Sequence, residues 1–314
     1  VVARIVTVTP NAALDCTLWV DELRIGGRHC ATGPHERAGG KGVNVARVLT
    51  RLGCAVHAVV LVGGETGARI ARDLARSAIP ASLVPAPGDS RSCLELLEEG
   101  SGRATQLHGP GVEADATTPG ALVAAVEAAL PGADWLAVCG SLPRGLDAAV
   151  VPELVERARA RGVRVGLDAS GAALRLGWEA APDLIRVNRE EASAVLDAPF
   201  AARNPPRDTP GPAARGVVSD GAARIVAWER GGPTWHVVPP RVRVRNPIGC
   251  GDAMLAGLLA GLGAGHSFPE SLCFATALAA AEAEAPCAGD ADPGRARALT
   301  GKVRLERLAD GAEA

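Results

Sequence analysis

Apolar positions along this chain recur with two alternating periods. "RIVTVT" (4–9) and "AVHAVVLVG" (55–63) are short runs of mostly β-branched apolar residues, the composition of strands buried on both faces. Between them "KGVNVARVLTRLG" (41–53) switches to helical spacing, with Val45, Val48, Leu49 and Leu52 on one stripe and Gly53 as a stop. A second helix is predicted near 66–78. Further strands are predicted at "WLAVCG" (135–140), "RVGLDAS" (164–170) and "LIRVN" (184–188), each separated by a helical run. Strands spaced by helices imply a parallel sheet covered on both faces. Ligands bind such sheets beyond the carboxyl ends of the strands, so the polar residues that follow each strand are the candidates for chemistry.

Two segments break this rhythm. "CTLWVDELRIGG" (16–27) and "RSCLELLEEGSGRATQLHG" (91–109) alternate in strand fashion with no helix between strands, the pattern of a small sheet projecting over the strand ends as a lid. Residues 198–214 carry five prolines and are expected to form an irregular surface connection, since the strand "ARGVVSDG" resumes at once. The N-terminal "VVARIVTVTPN" reads as a strand rather than a signal peptide. No run of 18 uninterrupted apolar residues suggests a membrane span.

Composition narrows the class. Of 314 residues 47% are apolar and 22% charged, which fits a soluble protein with a sizeable core. A net charge of −2 argues against nucleic acid or an anionic membrane as the main partner. The eight cysteines show no C-x-x-C spacing, so reduced thiols and a cytoplasmic location are expected rather than a disulfide framework or a zinc site.

Four stretches could carry chemistry. In "NPIGCGDAMLAGLLAGL" (246–262) a glycine turn delivers Asp252 to the first turn of an apolar helix. Unpaired amides and a partial positive charge at that point suit an anion, and the acid could take a proton from a hydroxyl nucleophile; alternatively Asp252 caps the helix and the glycines only turn the chain. In "RAGGKGVNVARVL" (37–49) Gly39 and Gly40 open a helix that carries Lys41 and Asn44. This is not a Walker loop: the first glycine would fall at His35, and Gly42 replaces the hydroxyl residue. It is either a sugar and phosphate cradle or a turn with a solvated lysine. "NREE" (188–191) puts Asn188 and Glu191 one turn apart, which suits a hydrated Mg²⁺ or an ordinary capping box. "CGSLPRG" (139–145) offers Ser141 at a strand end, for a substrate contact or a turn.

In their order along the chain, "VTVTPNAALD", "AGGKGVNVARVLTRLG", "GSLPRG", "LDASG", "VNREE" and "VRNPIGCGDAMLAGLLAGL" resemble the carbohydrate kinases of the ribokinase-like (PfkB) superfamily. The similarity is strongest to the branch holding bacterial 1-phosphofructokinases and tagatose-6-phosphate kinases, and it runs from residue 6 to a strand near 305. The resemblance implies one kinase domain over 1–314: a three-layer α/β/α fold with a mostly parallel sheet and a small β lid from about 16–35 and 88–110. It implies phosphorylation of a ketohexose phosphate, foremost fructose 1-phosphate at its 6-hydroxyl, with ATP and Mg²⁺. The rival substrates are those of a tagatose-6-phosphate kinase or a 6-phosphofructokinase.

Carried over by position, Asp252 would be the base, and the amides of Gly249, Cys250, Gly251 and Asp252 the anion hole. Asp15, Gly39, Gly40, Lys41, Asn44 and Ser141 would hold the sugar phosphate, with Arg91 and Arg103 on its phosphate. Asn188, Ser219, Gly221, Gly249 and Gly251 would line the nucleotide site, and Asn188 and Glu191 would position Mg²⁺ through water. A homodimer through the lid is also expected, since a two-sided exposed sheet favours a cover. The chain departs from the family pattern at Cys250, Pro247, Asp220, Cys93, the proline-rich 198–214 and the acidic "AEAEAPCAGDADP" (281–293). Most of these fall on the nucleotide side, which keeps open a reading of another class: a non-catalytic sugar-phosphate-binding protein.

Overall fold

The computed structural model describes residues 2–197, 199–200 and 213–308. The expected connection at 198–214 lies almost wholly outside the described residues. The elements are, in order, β1 (Arg4–Thr9), β2 (Ala13–Val20), β3 (Thr32–Gly39), α1 (Lys41–Arg51), β4 (Ala55–Val62), α2 (Gly64–Arg76), β5 (Ala81–Pro85), β6 (Arg91–Glu98), β7 (Ala104–His108) and α3 (Thr118–Ala129). Then come β8 (Trp135–Gly140), α4 (Val150–Arg159), β9 (Arg164–Ala169), α5 (Gly171–Glu179), β10 (Leu184–Asn188), α6 (Arg189–Leu196), β11 (Arg215–Asp220), β12 (Arg224–Glu229) and β13 (Thr234–Val238). The chain closes with α7 (Cys250–Gly263), α8 (Phe268–Ala283), α9 (Pro293–Thr300) and β14 (Arg304–Arg307).

The main sheet has the order β14-β13-β12-β11-β10-β9-β8-β1-β4-β5. It is parallel from β5 to β11 and antiparallel from β11 to β14. Alternating side chains of the central strands feed two cores. Val6 and Val8 pack with Leu122 of α3, Leu154 of α4 and Leu174 of α5. Ile5 and Trp135 pack on the other face with Leu49 of α1, Leu255 and Leu259 of α7, and Leu278 of α8. The expected three-layer α/β/α architecture is the one observed. No helix among the described residues is long and apolar enough to cross a membrane.

The lid is a second sheet, β3-β2-β6-β7, with β2 and β6 parallel at its centre. Its outline corrects the sequence reading. β2 starts at Ala13 and ends at Val20, so the stretch from 21 to 27 is not strand, and β3 runs straight into α1. "TGPHERAG" lacks the β-branched alternation that marks a strand. It is held by its ladder to β2, and an edge position tolerates its proline.

Candidate active site

Strand ends, lid and two helix heads converge on one cleft. Asp252 stands in the first turn of α7, whose N-cap is Gly249 at φ 87. That left-handed backbone is open to glycine at little cost, and no side chain caps α7, so its leading amides are left for a ligand. Asp252 is 7% exposed, and its Oδ2 accepts a hydrogen bond of 2.8 Å from Asn44 Nδ2 in the first turn of α1. The two glycine stretches picked out in the sequence therefore meet. Burial and then the Asp168 carboxylate raise the Asp252 pKa to about 7, against the pull of Lys41, Asn44 and Arg186. A carboxylate titrating near neutrality is matched to general-base work.

Beneath α7 lies a charged network that the sequence reading missed in part. Lys41 Nζ donates to Asp168 Oδ1 at 2.6 Å and to Glu191 Oε1 at 3.1 Å. Arg186 Nη1 donates to Asp168 Oδ2 at 3.1 Å, and its Nη2 to Ser219 Oγ at 2.7 Å. Burial alone would lower the Lys41 pKa, but Asp168 and Glu191 more than offset it and hold the ammonium above its ordinary value. Lys41 and Arg186 overcome the burial penalty on Asp168 and keep its carboxyl low. The Arg186 guanidinium lies flush under Gly251, where a Cβ would overlap it. Asp168 and Arg186 had a signal: each is a charge set among the apolar residues of a central strand, and a charge buried in a sheet has to be paired.

On the lid side, Asp15 projects from β2 beside Gly39, with no room for a Cβ at Gly39. Burial and the neighbouring Glu95 raise the Asp15 pKa to about 7, against Arg91 and Arg37. Arg91 opens β6 and donates through Nη2 to the Asn11 carbonyl at 3.1 Å, and Asn11 Nδ2 donates to Ser141 Oγ at 3.1 Å. Asn11 was not singled out, although it lies within the "TPNAALD" motif. Arg91 Nε, Asn11 Oδ1, Asn44 Oδ1 and Thr9 Oγ1 are buried without a partner among the described residues. Buried polar atoms normally have partners, so these mark where a polar ligand fits. Gly40, at the cap of α1, completes the cradle.

Arg103 stands apart from Arg91 in this chain. It forms a two-bond ion pair with Glu98 at 2.9 and 3.1 Å, at the opposite end of β6 from Arg91. Within one chain it does not join Arg91 over the cleft.

On the other flank, Asn188 and Glu191 form a full capping box on α6: Asn188 Oδ1 accepts from the Glu191 amide at 2.8 Å, and Glu191 Oε2 from the Asn188 amide at 2.9 Å. Gly221 sits in the turn after β11 with open space where a Cβ would be. Asp220 is turned to Arg189, at 3.0 Å on the surface. The acidic run is likewise engaged. Glu284 pairs with Arg295, Asp290 with Arg37 and Arg51, and Asp292 caps α9. Asn246 Oδ1 accepts from the Ile248 amide at 2.9 Å, so the turn before Gly249 keeps an internal hydrogen bond across Pro247. Burial pushes the Cys250 thiol up to about 12, so it stays protonated. All eight cysteines are free.

A family model described as pfkB family carbohydrate kinase matches residues 11–293. A 1-phosphofructokinase of Rhodobacter capsulatus is 35% identical over 283 residues, covering 87% of this chain and 88% of that protein. Among solved structures, phosphofructokinase-2 from Escherichia coli in complex with fructose-6-phosphate has a TM-score of 0.82 at 28% identity, covering 95% of this chain and 99% of the other. A possible 1-phosphofructokinase from Thermotoga maritima, at 23% identity and TM-score 0.88 over 98% of this chain and 100% of its own, shares the fold.

Proposed function

As the chain belongs to the pfkB family of carbohydrate kinases, which transfer phosphate from ATP to a sugar hydroxyl, we propose that it phosphorylates a ketohexose phosphate, foremost fructose 1-phosphate at its 6-hydroxyl. The observation that carries this reading is the facing pair Asn44 and Asp252 at 2.8 Å, under uncapped amides at the head of α7 and within the cleft that Arg91 overhangs. A general base, an anion hole and a cation for a second phosphate are the three parts that phosphorylation of a sugar phosphate needs.

In this reading Asp252 takes the proton of the attacking hydroxyl. The oxygen bonds to the γ-phosphorus, and the bond to the β–γ bridging oxygen breaks with release of ADP. Amides of Gly249, Cys250, Gly251 and Asp252 donate to the migrating phosphoryl oxygens. Arg91 grips the phosphate already on the sugar, a task for a cation that can bond in two directions. Asp15, Asn44, Ser141 and the backbone at Gly39 and Gly40 hold its hydroxyls. Lys41 and Arg186, paired with Asp168 and Glu191, brace the floor below the hole, while Ser219 and Gly221 flank the nucleotide.

Mg²⁺ fits the donors at hand: Glu191 is a partly shielded carboxylate already ordered by Lys41 and Asn188, and with the Asn188 amide oxygen it suits a metal held through its waters. When bound with the nucleotide, Mg²⁺ supplies charge to the phosphate oxygens. The lid face is offered as the seat of a homodimer, and eight free thiols favour a cytoplasmic setting.

A 6-phosphofructokinase or tagatose-6-phosphate kinase would use the same parts with the substrate turned end for end. A coupled ADP-release assay over a panel of sugar phosphates tests the reading. Fructose 1-phosphate is expected to give the highest kcat/KM, and a higher value with a 6-phosphate would reverse the assignment. The non-catalytic alternative loses ground because Asp220 and the acidic run are paired away from the hole. It would gain it back if no sugar phosphate were turned over with Mg-ATP.

A further inference from the structure

Glu282 is a buried carboxylate with no part in the chemistry above. It stands in the last turn of α8 and is 1% exposed. Its Oε1 accepts from the Gly289 amide at 2.5 Å and its Oε2 from the Ala291 amide at 2.6 Å. Both oxygens therefore hold the main chain of the turn at 286–291. That turn backs onto the cap of α7: a Cβ at Gly249 would lie 2.8 Å from Glu282 Oε1 and 2.9 Å from Ala288 Cβ. The neighbouring strands of chain are tied in as well. Asn246 Nδ2 donates to the Pro286 carbonyl at 3.2 Å, and the Ala283 carbonyl accepts from the Arg245 and Asn246 amides. Arg37, from lid strand β3, reaches the Ala288 carbonyl at 2.8 Å.

We propose that Glu282 is a positioning residue for phosphoryl transfer: as a carboxylate it fixes the 286–291 turn against Gly249 and so holds the leading amides of α7 in their anion-binding geometry. This rests on the kinase reading above. An acceptor with two charged oxygens is required because both partners are N–H donors. A protonated carboxyl or an amide turns one oxygen into a donor, and one of the two bonds is lost.

The charge state of Glu282 is set close to working pH. Burial, with Asp252 and Asp290, raises its pKa to about 7 against the two amide bonds. The other groups facing it are the Cys250 thiol from α7 and, from α1, the Arg47 stem packed on Gly289. Arg37 of β3 and Arg51 of α1 hold Asp290. The brace is complete above about 7 and is lost as pH falls through that value. Asp252 loses its charge over the same range, so the acid limb of kcat carries two protons rather than one.

Glu282→Gln keeps the shape and imitates the protonated group. At about pH 8 its kcat is expected to fall about 10-fold, a fraction of the loss from deleting a hole donor, with KM for the sugar phosphate unchanged. Its acid limb is expected to become shallower, from a slope above one just below neutrality to a slope of one. In the parent protein the Gly289 amide resonance is expected to shift between about pH 6 and about pH 8, a readout that needs neither the variant nor turnover. A variant with parental kcat and an unchanged acid limb, or a Gly289 resonance that does not move, overturns the proposal. A parent that turns over no sugar phosphate while Gly289 still titrates overturns the kinase reading instead.

Discussion

Asp252 holds its proton up to about pH 7 because burial and Asp168 disfavour its charge, yet it serves as a base only when charged. Its active form is therefore present above about 7 and lost as pH falls through that value, so a pH–rate profile is expected to decline on the acid side near neutrality rather than near 4. The same shift has a cost in stability. The unfolded chain gives up this proton near the ordinary aspartate value of 3.8 while the folded chain retains it, so the fold is penalised at every pH above that of the unfolded group. Asp252→Asn is accordingly expected to melt at a higher temperature than the parent at about pH 8, as for other active-site charges that trade stability for function; calorimetry would check the sign. Among the described residues the Arg91 side chain makes one hydrogen bond, to the Asn11 carbonyl, and leaves Nε unpartnered. Arg91→Ala is expected to raise KM for the sugar phosphate roughly 10- to 100-fold, the size of a charge-assisted bond of about 1.5–3 kcal/mol, with a smaller effect on KM for ATP. Most of these residues were legible in the sequence because glycine turns and strand ends expose them. Arg186 and Asp168 were not, since inside a strand the sequence shows the charge but not the partner that neutralises it.

The helix pair α7 and α8 shows how an element sets the site. Both are apolar on nearly every side and lie close together, with Gly257 of α7 meeting the Ala275 backbone, where a Cβ would come within 2.7 Å. Gly257→Ala is expected to push the helices apart, lowering stability by about 1–3 kcal/mol as overpacking does, and to reduce kcat by tilting the amides that α7 presents; denaturant melts and kinetics measure the two effects. The apolar helix after Asp252 was legible in the sequence, whereas α8 was not singled out, since its apolar residues run all the way round and leave no stripe. The lid was harder to read. β2 and β6 carry alternating apolar residues and were recognised, whereas β3 is strand only because β2 offers it a ladder. Arg103 was placed by the resemblance; the antiparallel turn from β6 into β7 sets it at the end of the lid opposite Arg91.

At the scale of the whole molecule, the sheet places the carboxyl ends of β8, β9 and β10 under the heads of α1 and α7, while the lid brings Asp15 and Arg91 across from the other side. The alternation of strand and helix made that plan readable, because parallel strands require helical crossovers. The antiparallel extension β12-β13-β14 was less evident, as its short strands carry mixed composition. A dimer through the lid should appear as a two-subunit species in sedimentation at micromolar concentration; a monomer there would count against it. The most direct measurement compares the parent protein with Asp252→Asn, using fructose 1-phosphate and Mg-ATP for turnover and calorimetry for sugar-phosphate binding. The expected result is a fall in kcat of roughly 10²–10⁴, as for loss of a general base, with sugar-phosphate affinity retained. A variant that keeps kcat within a few-fold of the parent would contradict the assignment of Asp252 as the base.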